Sequence, residues 1–351
     1  MVIETNITDM LGIKHPIIAA PMGPFFTTKL TIAVSKAGGL GVLSHTGLYS
    51  EYKNSGRNAV EIMKDNMLEV IKHTDNPFGF NIRTSRTEPI AKVLCKEIPE
   101  FIMNNPKVKE QCIYAVTSAG SSKMLPGSKP FQELKESGSK IKHFHVAPAF
   151  WLAGKCVATG VDGLVVTGGE GGGHQSYERV STLVLLQQVV QKYPDVPVVA
   201  CGGFATGQGL AAALAIGAGA VAMGSRFIAS KESEFHENYK NIVPPAKAQD
   251  TTITTGGLSI IRLWKNEYSL HHSVVTNKKE KMAEEAAMTP EMARDLSIKY
   301  ELAYQGNIND GAVPLGQSIG IVNQIESVPD IINTIISDAE KYLKKASSYV
   351  K

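Results

Sequence analysis

The chain has 351 residues, 43% hydrophobic and 20% charged, with a formal net charge of +3. That length suits one large domain or two ordinary ones with a real core, and the composition excludes a disordered chain, a collagen-like repeat and a small disulfide-stapled scaffold. The charge is too mild to imply a nucleic-acid partner, and no stretch joins dense Lys/Arg to interleaved aromatics.

The opening residues, MVIETNITDM, are polar, so no signal peptide is expected. No apolar run approaches the roughly 20 residues of a membrane span. Cys95, Cys112, Cys156 and Cys201 are widely spaced with no C-x-x-C pair, which fits buried thiols in a reducing cytoplasm better than disulfides or zinc. Taken in chain order, short apolar runs read as strands near 17–22, 40–45, 78–83, 112–118, 141–147, 163–168, 197–202 and 220–224. Each shows little alternation, as expected of parallel strands covered on both faces. Helical patterns lie between them near 27–37, 59–74, 88–104, 129–138, 150–159, 180–193 and 206–217. This is the count of a (β/α)8 TIM barrel, an α/β fold, over residues 1–230. A doubly wound sheet is the competitor, but it would carry its glycine-rich turn after the first strand. Here the glycines cluster after the sixth, seventh and eighth.

Residues 231–306 are polar and helical in pattern, with no strand signal, and read as a smaller helical insertion or lid domain. Residues 307–351 read as a segment returning to the barrel, with an amphipathic helical pattern over 318–346.

The sharpest segment is Gly168-Gly169-Glu170-Gly171-Gly172-Gly173-His174, directly after the sixth strand. Loops after strands form the barrel face that carries active sites, and glycines let backbone N–H groups approach a ligand. His174 is the one group there that titrates near neutral pH. The alternative is a plain glycine loop with a surface histidine. Cys201-Gly202-Gly203-Phe204 and Met223-Gly224-Ser225-Arg226-Phe227 follow the last two strands, where such barrels bind phosphate. Backbone N–H groups of Gly203, Gly224 and Ser225 would hold a phosphate without a lysine; read singly, each is equally a tight turn. Ala20-Pro21-Met22-Gly23 offers backbone to a flat ring or simply ends a strand. Asn81 either meets a ligand's ring edge or satisfies a neighbouring strand. His45, His143, His145, His271 and His272 have no metal-ligand spacing and read as structural or surface residues. No metal site is expected.

With these residues in view, the chain resembles the FMN-dependent nitronate monooxygenases, formerly 2-nitropropane dioxygenases, whose fold flavin enoyl-acyl-carrier-protein reductases share. The resemblance is carried by Gly12 to Ile17 with Ala20-Pro21-Met22, by Ala37-Gly38-Gly39-Leu40-Gly41, and by Gly169 to His174. Pro197 to Phe227 and Gly316-Gln317-Ser318 complete it. It implies FMN contacts at Asn81, Thr167, Gly172, Gly173, Gly202, Gly203, Ala222, Met223, Gly224, Ser225 and Gln317, with Met22 and Gly23 against the isoalloxazine. It implies His174 as the base that takes the α-proton of a nitroalkane, FMN oxidising the nitronate, and O2 reoxidising the flavin. The alternative it leaves open is an NAD(P)H-dependent FMN reductase of an enoyl thioester or quinone. Either way the partner is a small molecule, with no nucleic acid and no membrane, and a homodimer stays open. Gly171 stands where the family usually has alanine, and residues 120–130 fit its pattern poorly, which marks them as a segment that shapes the substrate pocket.

Overall fold

A computed structural model describes residues 3–86, 88–255, 260–271 and 274–350; His272 lies outside them. The strands are β1 (Ile17–Ala19), β2 (Gly41–Leu43), β3 (Phe78–Arg83), β4 (Cys112–Ser118), β5 (Lys142–Ala147) and β6 (Gly163–Thr167). They continue as β7 (Gly173–His174), β8 (Val198–Cys201), β9 (Ala220–Met223), β10 (Thr251–Thr255) and β11 (Ile260–Trp264). Eight of them form one parallel sheet in the order β1-β9-β8-β6-β5-β4-β3-β2. The ring closes between its ends through a parallel bridge from Ile18 to Leu40. There Ala19 N–H donates to the Leu40 carbonyl and Leu40 N–H to the Ile17 carbonyl, each at 2.9 Å. This is the expected (β/α)8 barrel.

Side-chain alternation along each strand divides the core into two layers. Ile18, Val42, Tyr114, Val116, Phe144, Val165, Val199 and Ala222 point inward and fill the barrel. The Tyr114 and Phe144 rings meet there with centroids 5.1 Å apart. Ile17, Leu164, Val166, Val198, Ala200, Val221 and Met223 point outward against the helices. Burying both faces is why these strands read as unbroken apolar runs.

The eighth helix does not follow β9 directly. A single helical turn, Ser225–Ile228, follows it, and the chain leaves the barrel until the long helix Val328–Ser347. That helix returns Ile331, Ile332, Ile335, Ile336 and Ala339 to the outer core. It packs against the helix Gly207–Ile216 so closely that a Cβ at Gly207 would lie 2.4 Å from the Asp338 Cβ.

The excursion corrects one expectation. Residues 231–306 are not wholly helical: β10 and β11 form an antiparallel hairpin within them. β11 also pairs with β7, placing Ile261 opposite His174 and Arg262 opposite Gly173. The helices of this region, chiefly Pro290–Tyr304, share a core with the barrel rim. Phe25 from the loop after β1 packs edge-on to Phe235 at 5.0 Å and stacks on Tyr304 at 5.4 Å.

Candidate active site

A cavity of about 630 Å³ opens at the C-terminal ends of the barrel strands. Its floor is the top of the inward layer: Ala20, Asn81, Val146, Val165, Thr167 and Ala222. Met22, Gly23, Gly172, Gly173, His174, Gly202, Gly203, Gly224 and Ser225 also line it. Two sequence candidates do not. Met223 is fully buried in the outer layer, and Gln317 donates its backbone N–H to the Glu170 carbonyl at 2.8 Å while its neighbour Ser318 faces the cavity.

Several candidates already have partners within the protein. The Asn81 amide donates to the Val116 carbonyl at 2.9 Å and to Ser118 Oγ at 3.2 Å, so it bridges neighbouring strands while facing the cavity. Met22 N–H donates to Ser44 Oγ at 2.8 Å. Ser225 Oγ accepts from Gly316 N–H at 2.9 Å, joining the loop after β9 to the late Gly-Gln-Ser turn.

The glycines divide into two kinds. A Cβ at Gly172 would lie 2.6 Å from Gly316 N, and one at Gly171 would lie 2.7 Å from Thr167 Oγ1. Those positions are glycine because protein fills the space. Gly173, Gly203 and Gly224 are open: a Cβ at Gly224 meets nothing nearer than Met22 Sδ at 3.8 Å, and one at Gly203 nothing nearer than Glu170 Cβ at 3.6 Å. Gly203 also takes φ +89°, a conformation that costs glycine little. The N–H groups of Gly224 and Ser225 start the short helix, where no intrahelical acceptor is available. Open backbone on two adjacent loops over a largely apolar floor fits a flat aromatic group with a phosphate tail. Arg226 is not part of that cradle. It is buried against Glu326 and donates to the Ala229 carbonyl at 3.2 Å.

The His174 loop is braced from several sides. Gln175 N–H donates to the Ile260 carbonyl at 2.8 Å, extending the β7–β11 pairing. Arg262 Nε donates to the Gly169 carbonyl at 2.7 Å and its Nη1 to Thr251 Oγ1 at 2.9 Å. Glu170 Oε2 accepts from Thr182 N–H at 2.8 Å and from Thr182 Oγ1 at 2.9 Å. The Gln175 amide donates to the Gly171 carbonyl at 2.7 Å. Sequence reasoning named neither Arg262 nor Gln175, because their partners are set by tertiary pairing.

His174 is partly open to the cavity, yet dense walls surround its ring. Burial first, then the positive charges of Arg83 and Lys281, lower its pKa to about 3. The imidazole is therefore held in its neutral form. The cavity is strongly cationic: among the described residues Arg83, Arg86, Lys155, Lys278 and Lys281 line it against one carboxylate, Glu285. Gly120, Ser121 and Met124 form part of its wall, so the segment after β4 does shape the pocket. Cys201 faces the cavity too, with its thiol pushed up to about 11 chiefly by burial; Cys95, Cys112 and Cys156 are free and buried. Among the described residues no cluster of His, Cys, Asp or Glu is placed to hold a metal ion. No helix among them is long and apolar enough to cross a membrane.

The nitronate monooxygenase family profile matches residues 4–338. A Mycobacterium tuberculosis protein, (3aS,4S,5R,7aS)-5-hydroxy-7a-methyl-1-oxo-octahydro-1H-indene-4-carboxyl-CoA dehydrogenase, is 28% identical over the full length of both chains. A nitronate monooxygenase of Paraburkholderia phytofirmans is 30% identical over 70% of this chain and 72% of its own. FabK from Thermotoga maritima superposes with a TM-score of 0.78 at 30% identity, covering 99% of this chain and 100% of its own.

Proposed function

The chain belongs to the nitronate monooxygenase family of flavin-dependent oxidoreductases, and on that premise we propose that it binds FMN and oxidises alkyl nitronates, with His174 as the base for neutral nitroalkanes. The observation that carries this reading is the placement of His174 beside Gly173, Gly203 and Gly224, the glycines left open at the cavity. Gly203, Gly224 and Ser225 would hold the cofactor phosphate through backbone N–H groups, and Met22 and Gly23 would lie against the ring. FMN supplies two-electron oxidation when bound, and the protein supplies placement and the proton acceptor.

A neutral nitroalkane loses its α-proton to the His174 imidazole, and the negative charge that remains moves onto the nitro oxygens. That charge opposes the cations that depress His174, so proton transfer becomes easier as the anion develops. A preformed nitronate skips this step. The hairpin and Arg262 brace the loop that carries the ring.

The cationic rim favours a second reading. Lys155, Lys278, Lys281 and Arg86 at one cavity suit a phosphate-bearing ligand, such as a pyridine nucleotide or a thioester carrier. The relatives include a protein named as a CoA-thioester dehydrogenase, which points the same way. The test is to purify the protein with its flavin and follow the visible absorbance without oxygen. Bleaching by propyl-2-nitronate and none by NADH or NADPH supports the nitronate reading. The reverse makes the protein a reductase, and a colourless protein that cannot be reconstituted with FMN rejects both.

A further inference from the structure

Arg83 ends β3, two residues after Asn81, so strand alternation turns its side chain inward over the cavity with the Asn81 amide. Its place is fixed at the backbone, where Arg83 N–H donates to His45 Nδ1 at 3.1 Å. Its stem lies across the loop after β1: a Cβ at Gly23 would come within 3.7 Å of Arg83 Cδ. Only 13% of the side chain is exposed, yet its Nε is buried with no hydrogen-bond partner among the described residues. Its one carboxylate neighbour, Glu88, lies 3.9 Å from Nη1, beyond hydrogen-bonding reach. The Tyr300 hydroxyl, on a cavity-lining residue from the insertion, is likewise buried without a hydrogen-bond partner among the described residues. A guanidinium this enclosed is normally saturated by a carboxylate or by backbone carbonyls, as Arg226 and Arg262 are here.

We propose that Arg83 is the anion-binding residue of the cavity, receiving a planar, resonance-delocalised anion with two terminal oxygens beside His174. The geometry of a guanidinium fork matches two coplanar oxygens, whereas an ammonium offers a point charge. A nitronate is such an anion, and so is the nitro end of a nitroalkane as its α-proton leaves. Arg83 then discriminates for substrates that are, or become, anionic at the reacting end, while the apolar floor takes the alkyl part. The inference rests on this cavity being the active site proposed above.

Inorganic nitrate is the probe, titrated into the flavin-loaded enzyme by calorimetry, with chloride at equal ionic strength as the control. Wild-type protein binds nitrate over chloride. Arg83→Gln weakens nitrate binding by about ten- to a hundredfold, the range for losing a charge-assisted pair. Arg83→Lys recovers part of it, and flavin content stays unchanged in both. Equal nitrate affinity in wild type and Arg83→Gln overturns the proposal, as does a wild type that prefers nitrate no more than chloride. Should Arg83→Gln not fold, phenylglyoxal labelling of the wild type decides. Nitrate protects Arg83 and leaves the exposed Arg294 reactive; no protection at Arg83 overturns the proposal. Turnover of propyl-2-nitronate is measured on the same samples. Arg83-dependent nitrate binding without nitronate turnover keeps the anion site and rejects the nitronate reading. Nitronate turnover with Arg83-independent binding does the opposite.

Discussion

At the scale of single residues, burial removes the water that would solvate an imidazolium at His174, and Arg83 and Lys281 add positive potential. A pKa lowered to about 3 means that the proton-accepting form is present at every working pH. The pH profile of kcat/KM on a neutral nitroalkane should therefore show no inflection near the ordinary histidine value of about 6.5. His174→Asn should cut activity on a neutral nitroalkane by about 10²- to 10⁴-fold while changing that on the preformed nitronate by less than about tenfold. Equal loss on both substrates would remove the base role.

Other histidines act on stability. His45, His143 and His145 are buried and their pKa values are lowered to about 3, 4 and 3, in each case mainly by burial. Thr117 Oγ1 lies 2.8 Å from His143 Nε2 and 2.7 Å from His145 Nδ1. One hydroxyl proton cannot serve both rings, so at least one ring donates its N–H to Thr117 Oγ1. The unfolded chain binds protons at these rings below about 6.5, whereas the folded chain refuses them until about 3 to 4. Their contribution is thus intact above about pH 6.5 and falls away as the pH drops toward 4. Thermal melts from pH 7 to 4.5 should show a declining Tm, and Thr117→Val should lower Tm at pH 7 as well, by about 1–3 kcal/mol of lost stability. A Tm indifferent to pH over that range would contradict these buried neutral rings.

At the scale of elements, the barrel strands were legible because burial on both faces leaves an apolar run that needs no partner to be recognised. β3 was read over the residues it occupies, and β4 likewise. The hairpin was not legible. β10 is Thr-Thr-Ile-Thr-Thr, polar by composition, and β11 holds Arg262 at its centre. β7 has two residues and exists only because β11 pairs with it. Arg83 was missed for a related reason. A lone arginine at a strand end looks like a surface residue until the inward register of Asn81 is known. The glycine cluster was recognised, but not which glycines are packed and which are open. That difference lies in Gly316 and Leu315, distant in sequence from the Gly172 they crowd, and in the turn that brings Thr167 back onto Gly171. Arg262→Ala tests the brace. It strips the Gly169 carbonyl of its donor, so stability should fall by about 1–3 kcal/mol. Hydrogen exchange should rise over residues 168–176 with the barrel strands still protected. Unchanged exchange there would show that the β7–β11 pairing suffices without Arg262.

At the scale of the whole molecule, the barrel depends on its last helix. Val328, Ile331, Ile332, Ile335 and Ala339 are each at most 3% exposed, and they pack on residues from the first, seventh and eighth βα units. Truncation after Ser327 uncovers that surface. At roughly 1.5–3 kcal/mol for each large aliphatic side chain, the loss is comparable to the whole stability of an ordinary domain. The truncated chain should be insoluble or lack a cooperative melt, and a soluble, cooperatively folding product would refute the dependence.

The brace on the His174 loop also sets a temporal order. The loop lies at residues 168–176, but its partners Ile260, Ile261 and Arg262 are made much later, and the helix that seals the barrel later still. A chain emerging from the ribosome presents all eight barrel strands before any of these supports exists. The site therefore matures after its own scaffold, and a cofactor that needs the braced loop is captured by a nearly finished polypeptide rather than by a nascent one.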